Sequence, residues 1–286
     1  MTADWSRPFW KQTERTASLF YFVPGEPPIA GLELSRSRHH VEGFPEDLQL
    51  SAHERSDDPE WFAGFFARPG LGFEIDEAFG DRADEVRAAD RGTVVRLEIP
   101  DSPELGYLRD SVGVVSAVLD QGGLGVLDLS AARWWSREQW LSRFVDRSAL
   151  AVGDFLRIIS SDDEQLHPGI WIHTRGMRKF ARPDLQVKHV PGPWAGDNPL
   201  LRIAGDLLNT LAERLCLGAV IADGEVIAFP GVRPRCTVLL TPDDSNSSAC
   251  HFGNEVLEVV DLVGEKAGAD LSWLLGHLAD QRRRMT

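Results

Sequence analysis

Thr93-Val-Val-Arg-Leu-Glu-Ile99, then Asp101-Ser-Pro-Glu104, then Leu105 onward to Gly122-Gly123, and finally Leu124-Gly-Val-Leu127: this stretch sets the fold class. Thr93 to Ile99 is rich in β-branched residues and reads as a strand. Asp101 suits a helix N-cap, Pro103 suits the first turn, and Glu104 three residues after Asp101 completes a capping-box-like pattern. Leu105, Leu108, Val112, Val115 and Leu119 recur at helical spacing, which predicts a helix over about Pro103 to Gln121 with one apolar face. Gly122-Gly123 closes it, because glycine tolerates the left-handed conformation that follows a helix. Strand, helix and strand of this length predict a βαβ crossover, its strands parallel if they share a sheet.

Upstream, residues 1–15 read as a short helix or a packed arm, and Ala17 to Val23 as a strand stopped by Pro24-Gly25. Residues 24–59 read as loops, with one strand near Ile29 to Leu34. Trp61 to Phe66 is too aromatic to stay in water and predicts a short packed helix; Asp81 to Ala89 predicts an exposed acidic one. Downstream, Trp134-Trp135 lead to Ser136, which pairs with Gln139 as a capping box. Phe155 to Ser160 and Ile170 to Thr174 predict neighbouring strands joined by the acidic loop Asp162-Asp163-Glu164. Asn198-Pro199 opens a helix with Leu200, Ile203, Leu207, Leu211 and Leu215 on one stripe, ending at Gly218. Ala219 to Ala228 predicts a hairpin with Asp223-Gly224 in a type I′ turn. Thr237 to Leu240 and Val256 to Val260 read as strands flanking the polar loop Pro242 to Ser248. Leu271, Leu274, Leu275 and Leu278 mark a last helix, whose Arg282 to Arg284 end suits its dipole. Strands and helices interleave without strict alternation. The expected class is α+β: a mixed sheet with helices packed mainly on one face, containing one βαβ unit and a β-hairpin. No repeat or linker is visible, so one domain over residues 1–286 is expected.

Gly169 to Val190 carries the chemistry. The apolar strand Ile170 to Ile172 runs into His173-Thr174-Arg175-Gly176, a basic turn follows with Arg178, Lys179 and Arg182, then Pro183-Asp184, and a second strand carries Leu185, Val187 and Val190. With Ile170 and Ile172 facing the core, Trp171, His173 and Arg175 share the other face. His173, Thr174, Arg175, Arg178 and Arg182 are candidates for holding an anionic group or a partner, since arginine offers a planar donor fork, with Asp184 to orient a cation. The structural counterpart is an internal network in which Asp184 neutralises Arg175 or Arg178 at ion-pair distance and His173 bonds a backbone carbonyl. The stretch resembles a motif of bacterial domains of unknown function, Trp-x-His-Thr-Arg-Gly at Trp171 to Gly176, followed by Arg-Lys-Phe and Arg-Pro-Asp ending at Asp184. The resemblance extends upstream to Asp128 through Trp140 and implies no established activity.

Composition narrows the function classes. A formal net charge of −14 argues against nucleic acid or an anionic membrane as a partner, because both need a cationic face. The charge suits a basic protein partner instead. Only four lysines occur, Lys11, Lys179, Lys188 and Lys266, a skew towards arginine that reads as base composition rather than phosphate recognition. Cys216, Cys236 and Cys250 are odd in number and lack metal-binding spacing, which fits reduced thiols in the cytoplasm. No signal region or membrane-length apolar run is present. No phosphate loop, nucleophile elbow or zinc-protease motif occurs, and Gly122-Gly123-Leu-Gly125 lies after a helix, the wrong end for phosphate. His39-His40, His53 and Asp57-Asp58 lack ligand spacing, so no metal and no cofactor are expected. Cys250-His251 and Cys216 read as structural rather than catalytic. The expectation is a non-catalytic cytoplasmic binding protein, of the immunity type that neutralises a basic partner. The alternative is an enzyme or small-ligand receptor taking an anionic group at His173 and Arg175.

Overall fold

The computed structural model describes residues 5–26, 31–41, 43–67, 71–145, 150–161, 169–194, 196–228, 235–240, 253–263, 266–268 and 270–285. The loops at Asp162-Asp163-Glu164 and Pro242 to Ser248, and the pair Cys250-His251, lie outside the described residues. The chain gathers into two compact units, the first Met1–Arg7, Gln12–Phe155 and Lys179–Ala181, the second Pro8–Lys11, Leu156–Arg178 and Arg182–Thr286. The chain alternates between the units instead of passing once from one to the other.

The first unit is built on a five-stranded sheet. Its strands are β1 (Thr16–Pro24), β2 (Leu48–Glu54), β3 (Arg91–Pro100), β4 (Gly125–Asp128) and β5 (Arg133–Ser136), in the order β2-β3-β1-β4-β5. β3 and β4 are each antiparallel to β1. They are therefore parallel to each other, and the crossover runs through the helix Gly106–Asp120 with β1 seated between its two strands. The predicted βαβ unit is present with one strand inserted. Asp101 does not cap its helix, whose N-cap is Leu105. Its carboxylate instead meets Arg7 at 2.6 Å and accepts from the Thr13 amide and hydroxyl. A buried charged partner outcompetes a cap, since each buried carboxylate oxygen needs its own donor. Gly122 takes φ +118, as the helix end requires.

Helices are numbered α1 (Arg36–His39), α2 (Pro59–Ala67), α3 (Leu71–Phe79), α4 (Ala83–Arg87), α5 (Gly106–Asp120), α6 (Arg137–Trp140), α7 (Pro199–Cys216) and α8 (Ser272–Met285). Leu108, Val112, Val115 and Leu119 of α5 are buried as predicted, and so are Ser111, Val114, Ala117 and Val118. The helix is covered on all sides, which a single apolar stripe does not foretell. Gly113 allows the approach of α1, because a Cβ there would lie 2.2 Å from the His39 carbonyl. On the opposite face of the sheet, Phe62, Phe65, Ile75, Ala83 and Val86 pack onto Phe22, Val94, Leu127 and Trp134. Trp61 to Phe66 is helical as expected, and Ser136 and Gln139 form the predicted capping box. β2 lies inside the stretch read as loops. The strand expected near Ile29 to Leu34 is absent from residues 31–34, and residues 5–15 carry no helix.

The second unit has a mixed sheet of β6 (Arg157–Ser161), β7 (Ile170–Arg175), β8 (Asp184–Val190), β9 (Val226–Ile227), β10 (Arg235–Leu240), β11 (Val256–Val263) and β12 (Lys266–Ala267). The order is β6-β7-β8-β11-β10-β9, with β12 on β11. Among the described residues, only β8 and β11 pair in parallel. The helices α7 and α8 lie on one face: the Gly205 Cβ position of α7 looks onto Ile172, and Asp261 accepts from the Trp273 and Leu274 amides of α8 at 2.6 and 2.9 Å. The class is α+β, with the one-face arrangement in this unit and helices on both faces in the first. The predicted hairpin at Ala219 to Ala228 is not formed. Ala219 to Ala222 pairs with no strand, and β9 pairs with β10 instead. Only Gly224 has positive φ, at +73, and the Glu225 amide bonds the Ala222 carbonyl, a type II pattern rather than I′. The turn docks sideways, with the Gly224 amide on the Val238 carbonyl and Asp223 accepting from the Leu240 amide. No described helix is long and apolar enough to cross a membrane.

Candidate functional site

β7 and β8 hold the predicted site residues on two paired strands, with His173 opposite Gln186 and Ile172 opposite Val187. Ile170 to Thr174 are all buried, so the strand is covered on both faces. Trp171 and His173 do share the face away from Ile172. Their rings lie 4.3 Å apart, and Trp171 Nε1 donates to Gln186 Oε1 at 3.0 Å. Glu258 continues the polar line, 2.9 Å from Lys188 Nζ. His173 Nδ1 lies 3.3 Å from the Thr174 carbonyl. Across the sheet Arg157 stands opposite Arg175, which is half-buried.

Asp184 is 2 % exposed, and neutral donors hold it. The Thr174 hydroxyl and the Met177 amide reach Oδ1 at 3.0 and 3.4 Å, and Asn254 Nδ2 reaches Oδ2 at 2.7 Å. Thr174 Oγ1 in turn accepts the Leu185 amide at 2.8 Å, and its hydroxyl also lies 3.2 Å from Met177 Sδ. Burial pushes the Asp184 carboxyl up to about 6, against the pull of these donors and, behind them, of the Arg175 charge. The predicted closeness to arginine thus takes the form of a weaker charge interaction. Arg178 donates to the Gly253 carbonyl at 2.8 Å. Arg182 is 2 % exposed, and its guanidinium donates to the carbonyls of Ala219, Gly218 and Lys11 at 2.9, 3.0 and 3.1 Å. It gathers carbonyls just beyond the end of α7, where a cation also complements the helix dipole.

The middle of the turn, Lys179 to Ala181, belongs to the first unit. Lys179 is fully buried there and its ammonium meets Asp128, which also accepts the Ala131 amide at 3.0 Å. Tyr107 donates to the Lys179 carbonyl at 2.7 Å, and Arg7 to that of Phe180 at 2.9 Å. Tyr21 lies opposite Asp128 in the sheet, and burial with the Asp128 charge beside it pushes its hydroxyl well above the usual range. Sequence reasoning passed over Lys179 and Asn254 as members of this network. Asp128 and Lys179 both fall within the span of the resemblance, the one signal that could have linked them.

Four of the six predicted site residues are buried, while Arg175 and Arg178 are partly exposed. His173, Thr174, Arg182 and Asp184 are turned into the protein. Cys216 and Cys236 are buried thiols, and burial with the Asp261 charge nearby pushes Cys236 up to about 12, far from a reactive thiolate. No group of three or more histidine, cysteine or acidic side chains that could hold a metal occurs among the described residues. His39 lies 3.0 Å from Asp120, while the His53 ring lies 4.4 Å from that of Trp61 at a tilt of 34°.

The exposed chemistry lies elsewhere. Residues 54–90 carry eleven carboxylates against four arginines, a net −7 and half the charge of the chain. Asp57, Asp58, Glu60, Asp76, Glu77, Asp81, Asp84, Glu85 and Asp90 are all exposed, on or around α2, α3 and α4. Arg82 and Arg87 form local pairs with Glu85, Asp76 and Asp84. Arg55 turns inward, donating to the Arg87 and Ala89 carbonyls at 2.6 and 2.7 Å and lying 5.0 Å over the Phe62 ring. No family model matches the chain, and neither a curated protein nor a solved structure matches it.

Proposed function

We propose that this is a non-catalytic binding protein of the cytoplasm that engages a basic protein partner, in the manner of an immunity protein. One observation carries the reading: half of the net charge lies in residues 54–90, from the end of β2 through α2, α3 and α4 and the loops between them, while Phe62 and Phe65 of α2 pack inward. Arg7 and Lys179 are paired with Asp101 and Asp128, and the remaining buried charges among the described residues, Arg182 against Asp184 and Asp261, nearly cancel, so most of the acidic surplus sits at the surface. Such a field steers an oppositely charged partner and rejects acidic ones. The closed network around Asp184 supports the same reading, because a catalytic group needs access to its substrate.

The test is affinity isolation under native conditions at low and high salt, with the full chain and a variant carrying Asp76→Asn, Glu77→Gln, Asp81→Asn and Asp84→Asn. A basic partner held at low salt, released at high salt and lost by the variant is the expected result. Equal retention by the variant would overturn the reading. The alternative, an enzyme or receptor for a small anion, draws on the placement of Arg157 opposite Arg175 beside His173. Inorganic phosphate titrated against the chain and Arg175→Ala tests it: saturable binding abolished by the substitution would favour this alternative.

A further inference from the structure

We infer that β2 is an acceptor edge, alongside which an extended cationic segment of the partner adds as a sixth strand to the five-stranded sheet. This rests on the proposed basic partner and says how that partner is held. β2 ends its sheet, and β3 is its one strand neighbour among the described residues. An antiparallel edge strand directs about half of its backbone N–H and C=O groups away from its neighbour, and these are a template for another chain. The side chains leave that template open: Gln49, Ser51, Ala52 and Glu54 are exposed, and Leu50 and His53 half-buried. Edges are usually guarded by lysine, proline or a bulge. Leu48-Gln-Leu-Ser-Ala-His-Glu54 has no lysine or proline, and its register with β3 is continuous from Leu48 to Glu54.

Charge selects the occupant. Glu46 and Asp47 precede the strand, and Asp57, Asp58 and Glu60 follow it, all exposed. The nearby cations are engaged: Arg55 on carbonyls, Arg91 with Glu54 at 3.1 Å and Arg96 with Glu98 at 3.0 Å. A second copy of β2 laid against this edge would bring carboxylates to carboxylates, which disfavours self-pairing. A segment rich in arginine or lysine meets the opposite sign. Trp61, 36 % exposed and with its ring 4.4 Å from that of His53, offers aromatic surface beside the strand to such a cation. In strand addition, main-chain hydrogen bonds supply the affinity.

The test uses the full chain and three peptides: one alternating arginine with valine, the same peptide N-methylated at alternate amides, and one alternating glutamate with valine. Affinity is read by Trp fluorescence and location by amide hydrogen exchange. The arginine peptide should slow exchange within residues 48–54, and N-methylation should weaken it about tenfold or more, one lost charge-independent set of bonds. Ser51→Lys with Ala52→Lys, both at exposed positions, should abolish this protection while the variant keeps its melting temperature. Equal binding of the N-methylated peptide, or protection falling on α2 to α4 instead of β2, would refute strand addition and leave the charge-based function standing. Arginine and glutamate peptides binding alike would sink both. Protection of β2 with no peptide present, in a sample that sediments as a dimer, would show that a second copy occupies the edge.

Discussion

Replacing Asp184 by asparagine separates charge from hydrogen bonding in the network that closes the predicted site. The carboxylate accepts the Thr174 hydroxyl and Met177 amide on one oxygen and Asn254 on the other. Asparagine keeps one acceptor and turns an NH2 towards a donor, which costs about 1–3 kcal/mol for an unsatisfied buried group. Against this, it removes a buried charge whose pKa is pushed up to about 6. The sign follows from linkage. The folded pKa lies above the unfolded value, so the folded state binds the proton more tightly, and stability falls as pH rises from about 4 to about 6. At pH 5 the wild-type site is mostly protonated and that relief is worth about 1.4 kcal/mol relative to pH 8. Asparagine has no such dependence. The variant should therefore be about 1–3 kcal/mol less stable than wild type at pH 5, and the gap should shrink by about 1.4 kcal/mol at pH 8. Guanidinium chloride unfolding of both proteins at the two pH values reads this directly, and other titrating groups cancel in the comparison. A gap that stays constant with pH would refute the claim that Asp184 carries a buried, disfavoured charge.

Lys179→Met should destabilise the chain by about 3–5 kcal/mol, because Asp128 is left as an uncompensated buried carboxylate; adding Asp128→Asn should recover part of the loss, and denaturant midpoints that show no coupling between the two would refute the pairing. Leu119→Ala, at a position 3 % exposed, should cost about 2–5 kcal/mol, and an unchanged thermal melt would contradict its place in the core. Gly224→Val should cost about 1–3 kcal/mol through its φ of +73 alone, since no atom lies within 4 Å of a Cβ there, and a variant as stable as wild type would show that the turn relaxes.

The crossover at Thr93 to Leu127, the capping box at Ser136, the strands of Gly169 to Val190 and the Asn198-capped helix were all legible from sequence. Each rests on contacts between residues a few positions apart, where periodicity and caps carry the information. β2 was not legible. Leu48 to Glu54 is too polar to stand out, because as an edge strand it buries only Leu48 fully. The hairpin at Asp223-Gly224 misled for the opposite reason: a strong local turn signal was overridden by docking onto β10 and by Arg182 taking the Ala219 carbonyl. Asp101 reads as a cap until Arg7 and Thr13 arrive from far along the chain.

By itself, then, the sequence determined the α+β class, the limits of most elements and the acidic surplus, since these depend on composition and on neighbours within a few residues. The tertiary structure decided how the side chains of the basic turn are engaged. His173, Arg182 and Asp184 are equally suited to gripping a ligand or to satisfying one another, and residue type does not distinguish the two. Their burial and their partners do: Asp184 is held by Asn254, seventy residues away, and Lys179 by Asp128, fifty-one residues away. It was also tertiary placement that left β2 at the end of its sheet, because which strand ends a sheet depends on long-range pairing that no local pattern encodes.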